Sequence, residues 1–302
     1  MPMLAEPLEP IDCLGKVAWQ RFWRFHGSTS DSRPLKLIWA QHLQAPGNGS
    51  GIVSAECRLA VEEGHCHART TPSALQAQAS QGVRRLLGVD QPVEAAWAKL
   101  AEQGCLTHVP DPDLEALRLW PVLTPFEAGV RAILSQQISI KAARAIRARL
   151  LAAMPQRDGY QVLHPQTLRQ MPESAYRACG LSATKARAMQ ALAESDLLPC
   201  DWLPDALNAA EAQSLTENLI RLPGIGPWTA QYALVRGFGY ADADLSGDQG
   251  VRVGLQRWQS LQSQKPAELP SIASARQWLA AMQPYRTQAA AFLWWLAAEA
   301  QQ

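Results

Sequence analysis

The hydrophobic pattern changes character once along the chain, near Pro92. Before it, the text is strand-like from Pro34 to Thr71. Leu35 to Leu43 is a short apolar run and Pro46-Gly47-Asn48-Gly49-Ser50-Gly51 a turn cluster; Ile52 to Val61 mixes apolar and polar residues ahead of a Glu62-Glu63-Gly64 turn. Arg21 to Phe25 reads as a further strand. A helical stretch from about Ser73 to Leu87 ends at Gly88. After Pro92 the strand signals fade, and helical segments follow one another, punctuated by Gly, Pro or Asp. They fall at about 93–103, 113–119, 125–136, 139–153, 165–170, 173–178, 182–195, 204–207, 209–221, 227–237, 247–258, 271–281 and 285–299. The expected class is therefore α+β. Residues 1–91 form a small N-terminal domain with an antiparallel sheet, and 92–302 form an all-α domain. No long period repeats, which argues against a solenoid.

Composition narrows the function classes. At 302 residues with 47% hydrophobic and 18% charged positions, a disordered chain is excluded. The apolar run Ala289 to Ala298 is half the roughly 20 residues that a membrane-spanning helix needs. The first fourteen residues carry Glu6, Glu9, Asp12 and three prolines, unlike a secretory signal. Six cysteines at 13, 57, 66, 105, 179 and 200 form no C-x-x-C pair and read as reduced thiols. A cytoplasmic, membrane-free protein is expected. Cys57, His65, Cys66 and His67 are metal-ligating types, but in a strand His65 and His67 face away from Cys66. A sheet surface is the expectation there, and no catalytic metal.

Net charge is +1, yet it is unevenly spread. Between Gly129 and Gln190 stand ten basic residues (Arg131, Lys141, Arg144, Arg147, Arg149, Arg157, Arg169, Arg177, Lys185 and Arg187) against Asp158 and Glu173. The next thirty positions, to Ile220, hold six acids and no Lys or Arg. Alone this is a solvated helix face; with a second motif it points to a polyanion.

That motif is Leu222-Pro223-Gly224-Ile225-Gly226-Pro227-Trp228-Thr229-Ala230, between two helical stretches. Gly224 and Gly226 allow φ > 0 and leave their amides unobstructed, and Pro227 suits the first position of a helix. Amides backed by a helix N-terminus bind anions, phosphate above all. Ile225 would plug into the helix pair. The bland alternative is a glycine-rich connection that touches nothing.

The full string resembles the hairpin of the helix-hairpin-helix (HhH-GPD) DNA glycosylases. The likeness continues through Gly237-Phe238-Gly239-Tyr240, the loop Ala241 to Asp248, and the helix opening at Gln249-Gly250-Val251-Arg252. Upstream, Phe126 to Ser139 resembles the segment that enters the DNA minor groove. Near the end, Pro284-Tyr285-Arg286 and Phe292-Leu293-Trp294-Trp295 resemble the closing helix. The likeness covers about Pro92 to Glu299 and is strongest to the alkylation-repair branch, the 3-methyladenine DNA glycosylase II type.

The resemblance implies a monomeric enzyme that flips an alkylated base from damaged double-stranded DNA and hydrolyses its N-glycosidic bond without a cofactor. It implies Asp248 as the catalytic carboxylate, and Trp228, Tyr232 and Trp294 as the base pocket, where electron-rich rings suit a cationic base. Gln136, Gln137, Gly224, Ile225, Gly226 and Thr229 would meet DNA, with Gln137 filling the space the base leaves. The carbonyls of Leu222 and Ile225 would hold a monovalent cation. Bland alternatives stand beside each: an N-cap for Asp248, core packing for the rings, surface amides for Gln136 and Gln137. Bifunctional relatives carry a Lys at the position of Trp228, so no strand cleavage through a Schiff base is expected. No cysteine follows Cys200, which excludes a C-terminal iron–sulfur cluster of the kind some relatives hold. Close relatives place an acid and an aromatic where Gly247 and Gln249 stand, so the pocket is expected to be roomier or differently polar. Two rival readings remain: a glycosylase for an oxidised or deaminated base, and a non-catalytic DNA-binding protein.

Overall fold

The structure, a computed structural model, describes residues 11–12, 35–45, 49–62, 65–71, 76–122, 124–157, 160–200 and 204–299. Four strands come first: β1 (Ile11–Asp12), β2 (Leu35–Ala45), β3 (Gly49–Glu62) and β4 (His65–Thr71). They pair antiparallel in the spatial order β1-β4-β3-β2, with Leu35 opposite Leu59 and Glu62 opposite His65. Cys57 stands opposite Thr70 whereas Cys66 stands opposite Val61. The register thus sets Cys57 four positions, roughly 13 Å, along the ladder from Cys66. The expected strand at 21–25, the turns' residues 46–48 and 63–64, and the helix start at 73–75 lie outside the described residues.

Helices follow: α1 (Gln76–Leu87), α2 (Val93–Glu102), α3 (Pro125–Ser135), α4 (Ile140–Ala152), α5 (Pro165–Gln170), α6 (Glu173–Ala178) and α7 (Ala183–Ser195). After them come α8 (Ala209–Ile220), α9 (Pro227–Phe238), α10 (Gln249–Ser263), α11 (Ile272–Ala280) and α12 (Arg286–Glu299). Their starts are written locally. Thr124, Ser139, Ser182 and Ser271 each accept a first-turn amide, and Asn208 with Glu211 forms a reciprocal capping box. The expected segment at 113–119 is a single 3-10 turn, Leu114–Leu117. Pro204 to Leu207 form no helix. Four residues cannot offset the cost of nucleation, and the Asn208 cap begins the helix only at Ala209. An unforeseen pair of two-residue strands, β5 (Gln156–Arg157) and β6 (Tyr160–Gln161), lies between α4 and α5.

The α+β class needs correction. Every buried apolar residue among the described side chains lies at or beyond Leu86, in a body that is helical apart from the β5–β6 pair. The packed body that the described side chains build is helical apart from that pair. Strand-like sequence dictates ladder hydrogen bonds, whereas fold class follows from which elements share a core.

That core has two lobes. One gathers Phe126, Val130, Ile133 and Leu134 of α3 with Leu150, Tyr176, Met189, Leu192, Leu219 and Ile225. The other gathers Val93, Leu100, Leu117, Val251, Leu255, Leu279, Phe292, Leu293 and Leu296. Helix α9 serves both, Leu234 facing the first and Val235 the second. Helices α10 and α12 meet unusually closely. A Cβ on Gly254 would lie 1.9 Å from the Leu293 carbonyl oxygen, so only glycine allows this crossing. The approach brings Trp294 over the start of α10, where Asp248 stands.

Candidate active site

Asp248 is the N-cap of α10, and its Oδ1 accepts the Val251 amide at 3.0 Å. The capping role is therefore real. It does not exhaust the carboxylate, which also accepts the Trp294 indole N–H on Oδ1 at 2.8 Å and the Trp228 indole N–H on Oδ2 at 2.7 Å. Three elements converge here: α9 supplies Trp228, α10 its own N-terminus, and α12 Trp294. The carboxylate is half-buried and its orientation is fixed by three N–H donors.

The other acids of the loop are committed elsewhere. Asp242 takes a two-pronged contact from Arg286 at 2.7 and 3.0 Å, and Asp244 accepts from Arg276 at 2.9 Å and from the Ser246 amide at 3.0 Å. Asp248 alone of the three faces indoles.

Along one face of α9, Trp228, Tyr232 and Arg236 follow at four-residue spacing. The Trp228 and Tyr232 rings are 5.3 Å apart. The guanidinium of Arg236 lies over the Tyr232 and Trp294 rings alike, 5.7 Å from each centroid. Its Nη1 donates to the Trp120 carbonyl at 3.0 Å, and its own carbonyl accepts the Val122 amide at 2.7 Å. Sequence reading passed over Arg236. The signal was the same spacing that singled out Trp228 and Tyr232, extended by one turn. Other tryptophans do pack in the core: Trp97, Trp258, Trp278 and Trp295 line its second lobe.

At the hairpin, Gly224 adopts φ +77°. A Cβ there would come within 2.9 Å of the Ala188 Cβ and 3.3 Å of the Thr184 carbonyl oxygen. Glycine is thus required by backbone and by space. Ile225 is buried in the first lobe, plugging the turn between helices as its sequence position suggested. Gly226 is the N-cap of α9 and has nothing within 4 Å of where its Cβ would be, which leaves the backbone open to an approaching group. The Leu222 carbonyl accepts the Ile225 amide at 3.2 Å.

The α3–α4 connection is tied to this hairpin. Gln136 donates through Nε2 to the Gly224 carbonyl at 2.9 Å and to the Thr229 hydroxyl at 3.0 Å. Thr229 is buried, so this pair braces the two loops against each other. Lys185, also buried, donates to the Leu134 carbonyl at 2.8 Å and closes the C-terminus of α3; burial pushes its ammonium pKa down. Gln137 follows, exposed and at φ +53°, a left-handed conformation uncommon for a residue with a side chain. Ile138 and Ile140 beside it are exposed, Ile140 by 73%.

The basic segment is less basic outside than its count. Glu127, just upstream, is buried and binds both Arg131, at 2.8 Å, and Arg147. Arg169 binds Asp196, Arg149 and Arg177 donate to the carbonyls of Cys179 and Leu181, and Lys185 is internal. Lys141, Arg144 and Arg187 are exposed. Among the described residues no group of three or more His, Cys, Asp or Glu could hold a metal ion, and no helix is long and apolar enough to cross a membrane.

The chain is 31% identical over 229 residues to a Mycobacterium tuberculosis protein named "Probable bifunctional transcriptional activator/DNA repair enzyme AlkA", covering 70% of this chain and 41% of that one. The chain thus spans about two fifths of the length of that relative. It is 31% identical over 173 residues to DNA-3-methyladenine glycosylase 1 of Schizosaccharomyces pombe, covering 56% of this chain and 71% of the yeast protein. A solved structure of the fission-yeast 3-methyladenine DNA glycosylase Mag1 in complex with abasic DNA superposes with a TM-score of 0.55 at 26% identity, covering 66% of this chain and 95% of that one. The profile of the HhH-GPD superfamily base excision DNA repair proteins matches residues 130–277. The chain belongs to the HhH-GPD superfamily of base excision DNA repair proteins.

Proposed function

We propose that this protein is a monofunctional DNA glycosylase that releases alkylated, 3-methyladenine-like bases from damaged duplex DNA and leaves an abasic site. The observation that carries the reading is the Asp248 carboxylate, held by the indoles of Trp228 and Trp294. It acts as a monomer in the cytoplasm, where the DNA is accessible, and needs no cofactor.

The hairpin amides at the head of α9 bind a phosphate beside the lesion, since the first amides of a helix have no acceptor within it. Exposed Lys141, Arg144 and Arg187 add to the attraction. Gln137 enters the stack from the left-handed turn after α3 and fills the space of the extruded nucleotide. The flipped base lies against Tyr232 and Trp294.

An N-alkylated purine is cationic and leaves as a neutral base, so little acid catalysis is required. The C1′–N bond breaks with both electrons going to the base, and positive charge develops on the sugar. Asp248 stabilises that charge electrostatically, an effect worth about two to three orders of magnitude in rate at preorganised sites. It also orients a water whose oxygen bonds to C1′ and whose proton passes to the carboxylate. Trp228 occupies the position where a Schiff-base lysine would stand, so the strand is not cut.

The test is direct. Methylated duplex DNA is incubated with the protein and the free bases are identified by chromatography. Release of 3-methyladenine without strand nicking supports the reading. Release only of oxidised or deaminated bases favours the rival glycosylase, and a borohydride-trapped adduct contradicts the monofunctional claim. Binding without release of any base leaves a DNA-binding protein.

A further inference from the structure

We infer that Arg236 is a specificity-determining residue, which raises the release of neutral damaged bases relative to cationic ones. The inference rests on the proposed glycosylase reading and deepens it. Arg236 is buried, and its guanidinium lies 5.7 Å from the centroids of both Tyr232 and Trp294, the rings proposed to hold the base. Its place is fixed at both ends, through Nη1 to the Trp120 carbonyl and through its own carbonyl to the Val122 amide. Turning the guanidinium away would break its bond to the Trp120 carbonyl.

A fixed cation on two rings changes what those rings offer a guest. Each ring face that attracts a cation does so through its quadrupole, and here that attraction is already engaged by a guanidinium. A cationic base lying against the same rings gains less from them and is repelled by the like charge already there. A neutral base gains where a cationic one loses. When its C1′–N bond breaks, both electrons stay on the base, which departs with negative charge unless a proton reaches it. A buried positive charge close by stabilises that developing anion. The cationic base departs neutral and draws no such benefit. Arg236 thus acts in opposite directions on the two substrate classes, and only its charge distinguishes them.

The experiment compares single-turnover release of 7-methylguanine, a cationic base, and hypoxanthine, a neutral one, from otherwise identical duplexes. Wild type is set beside Arg236→Met, Arg236→Gln and Arg236→Lys, each checked for folding by thermal unfolding. The ratio of cationic to neutral release is expected to rise by about three-fold to ten-fold in a folded Met or Gln variant and to stay near the wild-type value in the Lys variant. A purely structural role would slow both substrates alike and leave the ratio unchanged. An unchanged ratio in either folded neutral variant overturns the inference. So does a wild type that releases 7-methylguanine but no hypoxanthine, and in that case the glycosylase reading survives. A wild type that releases neither base removes the glycosylase reading and the inference with it.

Discussion

Trp294 donates its indole N–H to Asp248 Oδ1 at 2.8 Å, from a helix that begins 38 residues beyond the carboxylate. The ring and the hydrogen bond can be separated experimentally. Trp294→Phe keeps an aromatic surface and removes the donor. A hydrogen bond to a charged group contributes about 1.5–3 kcal/mol. Base release is expected to slow by roughly ten-fold to a hundred-fold, with an unfolding temperature within a few degrees of wild type. Single-turnover kinetics and calorimetry on the same preparation check both halves.

Gly250 explains how ring and carboxylate come so near. A Cβ at that position would sit 2.9 Å from Trp294 Cδ1 and 3.1 Å from Asp248 Oδ1. Gly250→Ala gains up to about 1 kcal/mol of helix propensity but pushes the indole off the acid. The expected result is a protein of near-normal stability whose base release falls about ten-fold or more, since even a small misplacement of reacting groups is costly. Normal kinetics in this variant would show that the Trp294 contact is dispensable.

At the hairpin the balance is reversed. Gly224→Ala meets Ala188 and requires a side chain at φ +77°, so both the fold and the phosphate grip suffer. A destabilisation of about 1–3 kcal/mol is expected, with weaker binding to any duplex, damaged or not. Fluorescence anisotropy on undamaged DNA measures the second effect apart from catalysis. Gly226→Ala has open space and should cost no more than the roughly 0.5–1 kcal/mol by which alanine is the poorer N-cap.

Glu127 sets a pH dependence that has nothing to do with catalysis. Burial pushes its carboxyl pKa up, but the Arg131 and Arg147 guanidiniums together outweigh that and hold it at about 2, below its ordinary 4.5. A carboxyl whose pKa is lower in the folded state binds protons more readily when unfolded. Its stabilisation is complete above about pH 4.5 and drains as pH falls toward 2. Unfolding temperatures measured from pH 6 to pH 2 should fall steeply in the wild type. The slope should be shallower in Glu127→Gln, whose stability is already reduced at pH 6 because two half-buried arginines lose the Glu127 carboxylate.

Local chemistry explains which parts were legible. The bounds of α5 and α6 match the sequence reading, and α3, α4 and α7 differ from it by a residue or so, because Thr124, Ser139 and Ser182 are caps read within one turn. The Gly224-Ile225-Gly226 turn was readable for the same reason. Whatever depends on distant partners was not. Glu127 lies two residues ahead of the basic stretch that begins at Gly129, yet it binds two of its arginines across α3 and α4. The spacing puts Arg236 one turn beyond Tyr232, but carries no sign of its contact with Trp294, 58 residues later. A helix cap and a ring-bound acid read as alternatives for Asp248 along the chain, whereas the carboxylate accepts from the Val251 amide and from both indoles together. The α+β class gave way to a helical one because the described core is built by the segments after Leu86, and a strand pattern describes only hydrogen bonding along its own segment.

In the proposed function the Asp248 carboxylate performs the chemistry while the hairpin binds the strand. Asn caps helices as well as Asp does, so Asp248→Asn should fold normally. Its neutral side chain cannot stabilise a sugar cation and cannot accept from both Trp228 and Trp294 without turning a donor toward one of them. Base release and binding should therefore be measured together, on duplex DNA carrying 3-methyladenine, for wild type and Asp248→Asn. Binding is expected within a few-fold of wild type and release reduced by at least about a hundred-fold. Release from the variant at the wild-type rate would contradict the proposed function.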